Sequence, residues 1–174
     1  MANPTRGDGA WLLPIFHCPT RPGEKWAGHE DTSAVMVSTD QGATWTETAV
    51  PGSTGCVHMN IVPGARDGEL LAFFRSRWAD HIYRTSSMDG GLTWQTPQAT
   101  VLPNNNSSIQ ALRLQDGRLA MIFNASSAAD ATGRRESLYE ELDDEGAQAS
   151  DTSKTAPAPT RRSPPCATAR RLRA

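Results

Sequence analysis

The residues best suited to chemistry fall in four short stretches: His58 and Asn60; Arg75, Arg77, Trp78, Asp80 and His81; Asn104, Asn105 and Asn106; Asn124 and Arg134. Guanidinium forks bind carboxylates through paired hydrogen bonds. Amide side chains offer donors and acceptors to hydroxyls, and Trp78 can stack on a sugar ring. These types together suit an anionic, hydroxyl-rich ligand. Asp80 is the candidate acid/base, because a carboxylate beside a cleft can have its pKa tuned; His81 stands beside it as the second catalytic candidate. Arg75, Arg77, His58, Asn60, Asn104, Asn105, Asn106, Asn124 and Arg134 are the candidate binding residues. Each has a structural alternative. Arg75 and Arg77 could simply pair with Asp80 at the surface. His58 and His81 could be histidines with satisfied hydrogen bonds, and the asparagine triplet could cap a turn.

Other chemistries find less support. The four histidines form no HExxH pattern, and Cys18, Cys56 and Cys166 are odd in number and lack metal-ligand spacing. No metal, cofactor or disulfide framework is expected. Residues 147–174 carry six Lys or Arg and one acidic residue, which leaves residues 1–146 with 11 basic against 18 acidic side chains. An acidic body without a basic stripe argues against a nucleic-acid partner. No run approaches the roughly 20 apolar residues of a spanning helix, so no membrane partner is expected. The stretch Trp11–Phe16, broken by Pro14, is too short for a secretion signal. Location stays open, with the cytoplasm as default.

The elements that position these side chains follow from an internal repeat. Ser38-Thr39-Asp40-Gln41-Gly42-Ala43-Thr44-Trp45 recurs 49 residues later as Ser87-Met88-Asp89-Gly90-Gly91-Leu92-Thr93-Trp94. Asp67-Gly68 with the apolar run after it recurs, again 49 residues on, at Asp116-Gly117. A further copy at Asp8-Gly9 lies 59 residues before Asp67, with Pro19 to Asp31 as the inserted segment. Asp-Gly before an apolar run marks a turn entering a strand. One unit is therefore read as strands over 57–62, 70–74, 82–86 and, briefly, 94–96. Four strands in about 40–50 residues is the size of a propeller blade. Antiparallel strands alternate direction. The start of strand 1, the end of strand 2 and the start of strand 3 thus share one rim, which gathers the polar residues named above, with His17. The eight-residue motif falls on the opposite rim. There Asp40 and Asp89 are expected to hold their turns together, with Trp45 and Trp94 covering the apolar side.

That motif is identified as the Asp-box, or BNR repeat, of sialidases. The segments WLLPIFHCP, GCVHMNIV, FFRSRWADHIYR, LPNNNSSIQ and DGRLAMIFN resemble the middle of bacterial sialidase-family proteins over about residues 8–146. The resemblance implies an all-β fold: about three four-stranded blades of a six-bladed propeller. It implies a glycoside hydrolase acting on terminal acidic sugars, with a Tyr nucleophile, an Asp acid/base and three arginines around the substrate carboxylate. The chain departs from that pattern. The early Arg-Ile-Pro motif has only the faint echo Leu13-Pro14-Ile15. The nucleophilic Tyr and later arginines belong to blades not found here, and Tyr139 with Glu140 and Glu141 reads as a solvated acidic loop. The expectation is a truncated, inactive relative that can self-associate through open blade edges. The alternatives are a non-catalytic carbohydrate-binding propeller and a lyase on another acidic sugar.

Two regions follow: residues 1–146 as the partial propeller, and 147–174 as a basic, low-complexity tail. The tail's only large aliphatic residue is Leu172. Such a composition does not offset its ordering entropy, so a disordered tail is expected. It reads like out-of-frame translation.

Overall fold

The computed structural model describes residues 9–130 and the backbone of a strand at Ser137–Leu142. Every regular element among them is a strand: β1 (Trp11–His17), β2 (Thr32–Ser38), β3 (Thr46–Ala49), β4 (Cys56–Pro63), β5 (Leu70–Ser76), β6 (His81–Ser87), β7 (Gln98–Pro103), β8 (Gln110–Arg113), β9 (Leu119–Asn124) and β10 (Ser137–Leu142). They form three antiparallel sheets, ordered β1-β2-β3, β4-β5-β6-β7 and β10-β9-β8. The repeat sets the phase: β2 and β6 begin 49 residues apart, at Thr32 and His81. By that phase the first sheet holds strands 2 to 4 of a unit and the third holds strands 1 to 3. The middle sheet holds all four.

The middle sheet is buried on both faces, and its sequence shows why. Successive side chains of a strand point to opposite faces. Along β5, Leu70, Ala72 and Phe74 enter one apolar cluster with Leu12 and Val35 of the first sheet. Leu71 and Phe73 enter a second cluster with Leu119, Met121 and Phe123 of the third sheet. A strand packed on both sides reads as a continuous apolar run rather than an alternation.

The two repeat motifs fold alike. Thr44 donates to Asp40 through its backbone N–H (2.8 Å) and hydroxyl (2.6 Å), and the Ser38 hydroxyl donates to Asp40 at 2.8 Å. Thr93 and Ser87 serve Asp89 in the same way, at 2.9, 2.6 and 2.8 Å. The bonds from Thr44 are the main cause that holds the Asp40 carboxyl down at about 2. Gly91 sits at φ +93°, and a Cβ there would come within 3.2 Å of Leu12. The turn therefore needs glycine both for its conformation and for its approach to the neighbouring sheet. Trp94 is buried in the cluster between the first two sheets, whereas Trp45 remains exposed. Trp45 instead stays on its own turn, its Nε1 donating to the Gly42 carbonyl at 3.1 Å.

Two further expectations need correction. Strand 4 of the middle unit is not 94–96 but β7, Gln98–Pro103. Pro97 has no N–H to give a ladder, and Trp94 turns into the core instead of continuing the edge. Tyr139, Glu140 and Glu141 lie in strand β10, paired with Ile122, Met121 and Ala120, and not in a loop. The tail from 147, with Cys166, lies outside the described residues, as does Arg134.

Candidate functional site

The rim is set by register. Val57 pairs with Arg75 and Cys56 with Ser76, so the start of β4 lies beside the end of β5. The ladder slips between Val57 and Asn60, and a bulge of this kind re-aims a side chain. His58 sits in it at φ +53°. Four non-glycine residues among those described have positive φ, and three of them, His58, Ala79 (+54°) and Asn106 (+59°), lie on this rim. Such conformations cost free energy and concentrate at functional sites.

Arg75 is the centre of the arrangement. Its Nη1 donates to the Asn106 carbonyl at 3.1 Å, and its Nη2 lies 3.3 Å from His58 Nε2. Guanidinium only donates, so His58 Nε2 must accept and the ring must be neutral. Burial, then the charges of Arg75 and Arg77, pull the His58 pKa below its ordinary 6.5. Burial first, and Arg77 second, also lower the Arg75 pKa. The Arg75 Nε and the Asn106 Oδ1 find no partner among the described residues. A donor and an acceptor are thus unmatched at one place.

Arg77 is placed differently. Its Nε and Nη2 both reach Oδ2 of the fully buried Asp31, at 2.9 and 2.7 Å. Trp26 Nε1 donates to the other oxygen at 2.9 Å. The Arg77 guanidinium also stands 4.9 Å from the Trp26 ring and 5.9 Å from that of Phe16. Phe16 in turn lies 4.9 Å from the His58 ring. His29 stacks on Trp78 at 5.3 Å. The inserted segment after β1 therefore closes against the rim through Asp31, Trp26 and His29.

Asp80 accepts from the His81 backbone N–H at 2.6 Å and from the Tyr83 hydroxyl at 2.9 Å. Burial opposes its ionisation, but bonds from Ser76, His81 and Tyr83 together outweigh it and hold the pKa below the usual value. Burial and the bond to Asp80 push Tyr83 up to about 12. Burial likewise pushes the Cys56 thiol up to about 12, which leaves it inert as a nucleophile.

The asparagines divide by role. Asn104 is fully buried. Its Oδ1 accepts from the backbone N–H of Ser76 and Asn106, both at 3.0 Å, and its Nδ2 donates to the Ser107 carbonyl at 3.2 Å. Asn105 accepts from Ser107 N–H at 3.3 Å, as an Asx turn does. Asn60 accepts from Ala111 N–H at 2.6 Å and ties the second sheet to the third. Asn124 ends β9, its carbonyl taken by Ser126 N–H at 2.8 Å. His17, at the end of β1, pairs with Glu47 at 2.8 Å. His58, Arg75 and Asn106 are thus the residues brought together, with Arg77, Trp78, Asp80 and His81 beside them. Neither Arg75 nor Arg77 pairs with Asp80. Asp31, Trp26, His29 and Tyr83 were missed from sequence. The insertion boundary at Asp31 was their one visible signal.

Comparison with known proteins agrees with this architecture. A family described as BNR repeat-like domain matches residues 2–151. No curated protein matches the chain. Among solved structures, the Hadza microbial sialidase Hz136 is 18% identical, with TM-score 0.59, covering 83% of this chain and 28% of its own. A protein of unknown function from Dyadobacter fermentans DSM 18053 is 19% identical, with TM-score 0.58, covering 81% of this chain and 36% of its own. The NanB sialidase from Streptococcus pneumoniae is 18% identical, with TM-score 0.56, covering 83% of this chain and 21% of its own. The chain therefore spans between 21% and 36% of the length of these structures. With the repeat motifs, the sheet succession and the family match in agreement, the chain belongs to the BNR repeat-like domain family, and its three sheets are blades of a sialidase-like β-propeller.

Proposed function

We propose that this rim binds a terminal acidic sugar, with Arg75 taking the carboxylate and Asn106 a hydroxyl, and that this chain binds without hydrolysing. The observation that carries the reading is Arg75 itself. It is held in place by Asn106 and His58, and no carboxylate among the described residues reaches it within ion-pair distance. A guanidinium fixed in this way can take an anion through the Nη N–H groups that Asn106 and His58 leave over. The solved sialidases of the same fold support the ligand class, for the Trypanosoma rangeli sialidase is in complex with 2,3-difluorosialic acid.

Two features favour binding over turnover. Asp80 is stabilised as the carboxylate, which suits an anchor of its loop and not a proton donor at neutral pH. Tyr83, its partner, is held protonated and is a poor nucleophile.

A second reading rests on His58. An imidazole beside a carboxylate-binding arginine suits proton abstraction next to a uronate carboxyl, the first step of a lyase, once the substrate carboxylate takes Arg75 Nη2 and frees His58 Nε2 to accept the proton. The test pairs two assays on the intact chain: release of the fluorophore from an aryl sialoside, and ultraviolet absorbance of the unsaturated product from a uronate oligosaccharide. Binding with neither signal is expected. Sialoside turnover abolished by Asp80→Asn would overturn the reading, and a uronate product abolished by His58→Asn would establish the lyase.

A further inference from the structure

One segment breaks the period of the repeat. Asp8 and Asp67 are 59 residues apart where the next interval is 49, and the extra residues lie between β1 and β2, on the rim of Arg75. They frame a cleft of about 170 Å³, lined among others by Arg21, Glu24, Lys25, Trp26, His29 and Glu30. Drug-sized pockets run from roughly 300 to 1,000 Å³, so this one suits a single small ring. Trp26 is fixed in it. Its Nε1 donates to the buried Asp31 at 2.9 Å, the Arg77 guanidinium stands 4.9 Å from its ring, and a Cβ on Gly28 would come within 3.4 Å of its Cζ2. The indole is nonetheless 49% exposed. Its N–H is already spent, so what it offers a ligand is ring surface.

We propose that this cleft takes an uncharged hexose, the unit next to the terminal acidic sugar at Arg75, with Trp26 as its platform. The ligand class rests on the acidic-sugar reading of the rim. One face of a pyranose is lined by C–H groups, which pack on an aromatic ring. The charged side chains around the cleft can bond its hydroxyls. An indole already immobilised loses little freedom when a ligand stacks on it. The cleft is also tied to the loop that carries the arginines. Asp31 pairs with Arg77, two residues from Arg75, and His29 lines the cleft while stacking on Trp78 at 5.3 Å. Both ties run to the second sheet, and the insertion itself frames the cleft, not the outer face of an end sheet. The insertion thus makes the rim select a linked pair of sugars over a lone acidic one.

Fluorine NMR on the full chain labelled with 5-fluorotryptophan reads the platform directly. The chain has five tryptophans, and the Trp26 resonance is the one lost in Trp26→Phe. Lactose, an uncharged disaccharide, is titrated to about 50 mM, where a weak single-ring contact saturates. The Trp26 resonance is expected to shift and level off, equally in Arg75→Ala. With 3′-sialyllactose, which adds the acidic sugar, the same shift is expected at a concentration at least about tenfold lower, because the two contacts are linked. That gain is expected to vanish in Arg75→Ala. A Trp26 resonance that neither sugar moves, or that only drifts in step with Trp11 and Trp45, would overturn the cleft and leave the Arg75 reading standing. Equal concentrations for the two sugars would overturn the Arg75 reading and leave the cleft standing.

Discussion

At the scale of single residues, the contact between Arg75 and His58 has a consequence in pH. Because the His58 pKa lies below 6.5, the ring is neutral at pH 7 and gains a proton as the pH falls. That proton adds positive charge beside Arg75. Affinity for an acidic sugar is therefore expected to rise roughly threefold as the pH is lowered through this range, the scale of one partly exposed charge pair. Stability moves the other way. The unfolded histidine protonates first, so the folded state loses stability as the pH falls below 6.5. His58→Asn tolerates the left-handed backbone and should flatten both profiles in titration calorimetry and thermal melts. A binding profile unchanged by that substitution would remove His58 from the site. The sequence exposed the residue types of the rim but not their division of labour. The triplet Asn104-Asn105-Asn106 reads as three equivalent amides. Only the backbone path makes Asn104 a buried anchor, Asn105 a turn cap and Asn106 the neighbour of Arg75. Asp31 was invisible as the partner of Arg77 because the two are 46 residues apart in the chain.

At the scale of elements, the repeat made the strands legible because packing enforces it. Leu70 to Phe74 must alternate between two neighbouring sheets, and no slip of one residue can satisfy both. The edge strands were less legible. Gln98–Pro103 is constrained on one side only, and its start is decided by Pro97 and by Trp94 leaving for the core. Strand β10 was masked by its charges. An edge strand can carry acidic side chains, so Tyr139 to Glu141 resembled a loop. Phe73 offers the sharpest test of this packing. It is fully buried between the second and third sheets. Phe73→Ala is expected to destabilise the chain by about 3–5 kcal/mol, read as a lower urea midpoint at unchanged slope. A shift under about 1 kcal/mol would mean that the two sheets do not share one core.

At the scale of the whole molecule, residues 1–146 carry 11 basic against 18 acidic side chains, a balance that repels anions at a distance. On the proposed reading, recognition of an acidic sugar is then local and depends on the guanidinium held at the rim. The most direct measurement is titration calorimetry of N-acetylneuraminic acid against its methyl ester, on the intact chain and on Arg75→Ala. The two sugars differ at the carboxyl alone. The acid is expected to bind the unsubstituted chain and the ester to bind at least about tenfold more weakly, the scale of one charge-assisted bidentate contact. Arg75→Ala should abolish the difference while leaving the melting temperature near its original value. Equal affinity for acid and ester, or a preference that survives Arg75→Ala, would contradict the assignment of the rim.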